Sequence, residues 1–194
     1  LRTFQFGVFP RTNIPVRFND FIEYAALIKK YLDTDTIKKP RQIWWKIRPH
    51  IDYGTIEFRI CDTQRKLSNV EMLTALSQAL VYQAVKDYNN GVLIDSFNME
   101  YLYDGLWKAS RFPLSVKMID PETCEISTLL EQIKKMNEYV KDSLNYFNTL
   151  HILESVNKIC DNGSEADDQI KIYNKSGFKG LKKYLMNNIE YQMN

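Results

Sequence analysis

The sequence predicts an α+β fold, a two-stranded antiparallel ribbon set among several long helices. Two observations predict it. Residues 43–61, IWWKIRPHIDYGTIEFRIC, alternate in polarity on either side of a glycine turn, which is the period of paired strands. The stretches 70–88 and 126–148 instead carry apolar residues every three or four positions, the period of packed helices. With 194 residues, 44% of them hydrophobic, the chain can bury a sizeable core, and residues 1–194 read as one domain.

The elements follow in order. LRTFQFGVF, residues 1–9, reads as a strand ended by Pro10, and PRTNIP as a proline-bounded loop. FNDFIEYAALIKKYL then places Phe21, Ile22, Ala25, Leu27, Ile28 and Leu32 at helical spacing, with Asn19 or Asp20 positioned to cap it. After the polar connection DTDTIKKPRQ come strands at 43–49 and 54–61, joined by the turn HIDYG, where Gly54 can take a positive φ. Ser68 and Glu71 fit a capping box opening a helix through Val70, Leu73, Leu76, Leu80, Ala84 and Tyr88, which stops at Asn90-Gly91. A helix over 97–111 is weakened by Gly105, and Pro113 and IDPET mark a loop before the helix at 126–148. DNGSEADD, residues 161–168, reads as an acidic linker, and Gln169–Met193 as a mostly basic C-terminal helix.

Charge and composition exclude several classes. Twenty-six basic against 24 acidic side chains leave a net charge of +2, too near balance to point to nucleic acid or an anionic membrane. Lys171, Lys175, Lys179, Lys182 and Lys183 cluster late in the chain, as expected of a solvated helix face. No apolar run is long enough to span a bilayer, and no stretch reads as a secretory signal. Cys61, Cys124 and Cys160 are odd in number and widely spaced, which favours a reducing, cytoplasmic setting over a disulfide or zinc framework. Leu1 in place of Met, at the start of a strand, suggests that residues precede it.

The ribbon carries the chemistry. On its second strand Ile56, Phe58 and Ile60 share one face, and Thr55, Glu57, Arg59 and Cys61 the other. On its first strand Lys46, Arg48 and His50 point one way, Trp45 and Ile47 the other. Pairing the strands gives one apolar face, expected to turn inward, and one bearing Lys46, Arg48, His50, Glu57 and Arg59. A Glu-x-Arg pair on a strand is ordinarily a solvated ion pair of little worth. Here the charges are too concentrated for that reading alone. A carboxylate oxygen suits Mg2+, and an arginine fork suits phosphate or carboxylate.

IWWKIRPHIDYGTIEFRICDTQ resembles the Trp-Trp-x-Ile-Arg-Pro-x…Gly-Thr-x-Glu-x-Arg-x-x-Asp signature of the type 2 glutamate–cysteine ligases, the carboxylate–amine ligases. FPRTNIPVRFNDFIEYAALI is similar to the family's upstream Pro-x-x-x-Ile/Leu-Pro segment. LWKASRF…IDPETCEI is similar to its Trp-Arg-Ala-x-Arg-Tyr helix and Ile-Asp-Pro-x-Thr-Gly turn, and IYNKSGFKGLKKYLMNN to its closing helix. The resemblance implies the C-terminal half of a glutamine-synthetase-like fold whose antiparallel sheet cups ATP, Mg2+ and glutamate. It implies amide formation through a γ-glutamyl phosphate. By carry-over Glu57 would be a metal ligand, Arg59 would stabilise the phosphoryl group, and Arg48 would contact phosphate or the substrate carboxylate. Arg11, His50 and Arg111 would line the same cavity.

Two departures qualify the likeness. The family helix reads Glu-Asn-Arg-Trp-Arg, whereas this chain has Asp104-Gly105-Leu106-Trp107-Lys108, which removes a polar pair from that helix while keeping Arg111. Family members are also longer, and their first half supplies Glu-x-Glu and His-x-His strands that these residues lack. Mg2+ demands near-complete octahedral coordination, so the chain alone is expected to be inactive and to need that half as partner, alongside ATP, an amino acid and an amine acceptor. Self-association through an exposed sheet edge is a further expectation. The second reading is a non-catalytic, ligase-derived binding module.

Overall fold

The computed structural model describes residues 4, 7–94 and 96–187. The strand expected over 1–9 lies mainly outside the described residues, and its described end, 7–10, is turn and bend. The fold is α+β, in two compact units, Leu1–Asp62 and Thr63–Asn194.

In the first unit α1 (Phe21–Asp33) starts where the Asp20 carboxylate accepts the Glu23 backbone N–H at 2.8 Å. Asp20, not Asn19, is therefore the cap. Asn19 answers in the other direction, donating its backbone and side-chain N–H groups to the Glu23 carboxylate at 2.8 and 3.0 Å. Tyr24 and Ile28, one turn apart, bury against Ile37, Ile43 and Trp45. Each such side chain taken fully out of water contributes about 1.5–3 kcal/mol. Pro40–Gln42 then form a single 3-10 turn, closed by the Gln42 side-chain oxygen, which accepts the backbone N–H groups of Lys38 and Lys39 at 2.5 and 3.0 Å.

The ribbon follows as β1 (Ile47–His50) and β2 (Thr55–Phe58), antiparallel, with Arg48 opposite Glu57 and Ile47 opposite Phe58. The turn between them ends at Gly54, whose φ of 60° is the left-handed conformation expected of it. Both strands are shorter than the alternation suggested, and the apolar face turns inward only in part, at Trp45. Ile56 and Ile60, expected to turn inward, are 48% and 40% exposed, whereas Lys46 and Arg48 on the polar face are buried. Two strands cover themselves on neither side, so an added layer decides which face is hidden. Here Arg48 supplies that layer by drawing the 3-10 turn over the polar face.

In the second unit α2 (Leu67–Asn89) packs on α4 (Leu129–Tyr146) and α5 (Leu153–Asn162). Met72, Ala75, Leu76 and Ala79 meet Val140, Leu144, Ile152 and Val156 in its core. The capping box expected of Ser68 and Glu71 does not form. The helix begins two residues early, at Leu67, and the Glu71 carboxylate meets His151 Nε2 at 2.9 Å instead. The stop is as expected, with Gly91 at φ 69°. A box does form at the start of α4, where Thr128 accepts from the Glu131 N–H and the Glu131 carboxylate accepts from the Thr128 N–H. α3 (Met99–Arg111) is capped by Asn98. Residues 126–128, expected to be helical, are β4 (Ile126–Thr128), paired with β3 (Lys117–Ile119).

The turn joining β3 to β4 is held by Asp120. Its Oδ1 accepts the N–H groups of Glu122 and Thr123 at 2.9 and 3.1 Å, and its Oδ2 accepts Gln132 Nε2 and Lys135 Nζ at 3.1 and 3.0 Å. Burial works to raise its pKa, but these donors outweigh it and hold the carboxyl well below the usual carboxylate range. A depressed folded pKa contributes stability that is present above the unfolded value of about 4 and is lost as pH falls below it. Asp120→Asn is therefore expected to cost about 1–2 kcal/mol at neutral pH and to flatten the acid limb of an unfolding titration. A limb as steep as the parent's would contradict this. In the same turn Cys124 sits at φ 61°, a conformation that costs a β-carbon-bearing residue about 1–2 kcal/mol. Cys124→Gly is expected to raise stability by about 0.5–1 kcal/mol, read from the melting temperature.

The stretch 161–168 comprises the last turn of α5, a break at Gly163–Ser164 and the first turn of α6 (Glu165–Asn187). α6 bends at Gly177, φ 59°. Arg65 holds both arms, pairing with the Glu165 carboxylate at 2.6 and 2.9 Å, donating to the Tyr184 carbonyl at 3.2 Å and standing 4.0 Å over its ring.

Candidate functional site

The register of the ribbon fixes the site. Arg48 and Glu57 are cross-strand partners, so their side chains leave the same face, and Arg59, two residues beyond Glu57, follows on that face. The three meet. Arg48 donates from Nε and Nη2 to Glu57 Oε2 at 2.8 and 2.7 Å, and Arg59 Nη1 donates to Oε1 at 2.5 Å. Burial works to raise the Glu57 pKa, but the hydrogen bonds and charges of the two arginines lower it. Glu57 is thus held ionised between two cations, and the cluster as a whole carries one positive charge.

The members differ in access. Arg48 is 6% exposed, and its Nη1 also donates to the backbone carbonyls of Arg41, at 2.5 Å, and Ile43. Four of the five N–H donors of a guanidinium are thereby used. Arg59, with a side chain 23% exposed, reaches solvent more readily.

Beside the cluster lies a cleft of about 310 Å3, lined by Lys39, Arg41, Arg48, His50 and Asp52 together with Pro40, Pro49 and Ile51. Of the residues expected in one cavity, Arg48 and His50 line this cleft. Arg11, Glu57 and Arg59 do not line it. Arg11 stands 5.9 Å over the ring of Tyr31, and its carbonyl accepts the Trp44 N–H at 2.8 Å. Arg111 is the exposed last residue of α3, in the second unit. Lys39 and Arg41 were read as part of a polar connection. The basic run KKPR just ahead of the tryptophan pair was the signal that could have found them.

The described residues do not fit a Mg2+ site. Both Glu57 oxygens are engaged by guanidiniums, which repel a dication, and no group of three metal-ligating side chains occurs among the described residues. The altered helix is also explained locally. Gly105 is buried, and a β-carbon there would come within 3.0 Å of the Met118 methyl group, so an Asn at this position would have to displace Met118.

The cross-strand Arg48–Glu57 pair, its Arg59 neighbour and the adjoining basic cleft make a surface suited to oxyanions. The profile of glutamate-cysteine ligase family 2 matches residues 1–183. The chain belongs to this family. Among curated relatives of glutamate-cysteine ligase family 2, a protein of Solibacter usitatus is 28% identical over 187 residues, covering 96% of this chain and 49% of its own length. One from Gloeobacter violaceus is 34% identical over 175 residues, covering 90% and 47%, and one from Chloroflexus aurantiacus is 30% identical over 175 residues, covering 89% and 44%. All three carry the name "Putative glutamate--cysteine ligase 2". The chain spans about half the length of these family relatives. Among the described residues no helix is long and apolar enough to cross a membrane.

Proposed function

We propose that this chain forms part of the active site of an ATP-dependent carboxylate–amine ligase acting on glutamate, and that the remainder of a glutamine-synthetase-like sheet completes it. Family membership supports the reaction class. The single observation that carries the assignment is the convergence of Arg48, Glu57 and Arg59 on one face of the ribbon. The exposed Ile56 and Ile60 on the opposite face give the remainder of the sheet an apolar surface to cover.

In this reaction the γ-phosphoryl group of ATP passes to the glutamate side-chain carboxylate, giving an acyl phosphate and ADP. The amine then attacks the acyl carbon, phosphate leaves, and the amine proton is released. Arg59, the accessible guanidinium, would stand against the negative charge of the transferring phosphoryl group. Glu57 fixes that guanidinium in orientation, and Arg48 fixes Glu57. This gives Glu57 an orienting role in place of the metal-binding role that the resemblance implied. Arg48 is likewise a positioning residue more than a ligand contact. Mg2+, when bound, would neutralise phosphate charge, and its ligands belong to the part of the ligase that these residues do not supply.

The test joins residues 1–183 to the part of the Gloeobacter violaceus relative that this chain does not span, then measures phosphate release from ATP. Release requiring both glutamate and an amine supports the reading. A folded chimera with no such release sinks it.

A further inference from the structure

The 3-10 turn Pro40–Gln42 does more than cover the ribbon. Arg48 grips it by the backbone carbonyls of Arg41 and Ile43, and Gln42 closes it from within, so its conformation is set by bonds that leave the side chains of Lys39 and Arg41 unused. Among the described residues neither cation has an ion-pair partner, yet both line the 310 Å3 cleft. His50 lines it too, and its Nδ1 is buried without a hydrogen-bond partner among the described residues. A buried ring nitrogen left in that state costs free energy that a hydrogen bond would recover. Asp52 is the one carboxylate in the lining, against Lys39, Arg41 and Arg48, so the cleft favours an anion.

We propose that Lys39, Arg41 and His50 form an oxyanion subsite that receives a phosphate or carboxylate group. It deepens the ligase reading and rests on it only for the source of the anion. Lys39 supplies a point charge, Arg41 a planar fork and His50 a ring nitrogen for hydrogen bonding. The 3-10 turn thereby becomes a binding element whose shape depends on Arg48.

The chain contains two histidines, His50 and His151, which makes the test direct. His151 lies in the second unit, paired with Glu71, and serves as the internal control. The imidazole NMR signals of the 194-residue protein are followed during separate titrations with inorganic pyrophosphate and with glutamate. Saturable movement of the His50 signals with either anion, while His151 stays still, is the expected result. The double variant Lys39→Gln/Arg41→Gln should raise the half-saturation concentration by about tenfold or more. Arg41 holds Arg48 through its backbone, so this variant keeps the fold, and unchanged His151 signals and circular dichroism verify that. A response to pyrophosphate alone assigns the subsite to phosphate, and a response to glutamate alone assigns it to carboxylate. No movement of His50 with either anion, or equal movement in the double variant, overturns the proposal. Neither outcome depends on turnover, so it fails separately from the ligase reading.

Discussion

Arg48→Met is expected to destabilise the first unit by about 3–5 kcal/mol, the range for removing one partner of a buried, hydrogen-bonded charge pair. Three losses act together. Glu57 keeps only Arg59, the carbonyls of Arg41 and Ile43 lose their shared donor, and the 3-10 turn is released from the ribbon. The Glu57 side chain is 32% exposed, so water relieves part of its loss and the lower half of that range is favoured. Denaturant unfolding measures the effect. The companion Arg48→Met/Glu57→Met separates pairing from packing, because removing both charges should cost less than the two single changes summed. A nearly neutral Arg48→Met would mean that the cluster does not organise the ribbon.

The second large effect concerns Arg59 and appears in activity. Its removal leaves Glu57 bonded to Arg48, and its side chain is partly solvated, so Arg59→Ala should cost only about 1 kcal/mol in stability. In a chimera competent for turnover the same change should lower kcat by about 100- to 1,000-fold, the size of effect seen when one donor to transition-state charge is lost. Arg59→Lys keeps the charge but not the fork that meets Glu57 and the phosphoryl group together, so it should recover activity only in part. Equal losses of stability and activity in Arg59→Ala would assign the residue to folding alone.

The ribbon was legible because alternation and one glycine are enough to set a hairpin. Alternation puts Arg48 and Glu57 on one face, and the hairpin closed at Gly54 brings them opposite each other. Long-range competition was not legible. Ser68 and Glu71 have the spacing of a capping box, but the carboxylate finds His151, 80 residues away, while the equally spaced Thr128 and Glu131 do close one. β3 and β4 are three residues each and escape a period-2 reading; the Asp120 turn, with donors from Gln132 and Lys135, makes them a pair. Which face of the ribbon is buried also lay beyond alternation, because Arg48 brings residues 40–42 over the charged side. Lys39 and Arg41 show in the sequence only as a basic run, and the fold of the 3-10 turn brings them to the cleft.

Trapping the acyl phosphate tests most directly whether the charged face of the ribbon serves phosphoryl transfer. The chimera is supplied with ATP, glutamate and hydroxylamine, which attacks an acyl phosphate to give the hydroxamate and free phosphate. Glutamyl hydroxamate that forms in step with ADP, and that falls by about 100-fold or more in Arg59→Ala while the protein stays folded, is the expected result. Hydroxamate forming at the parent rate in Arg59→Ala would contradict it.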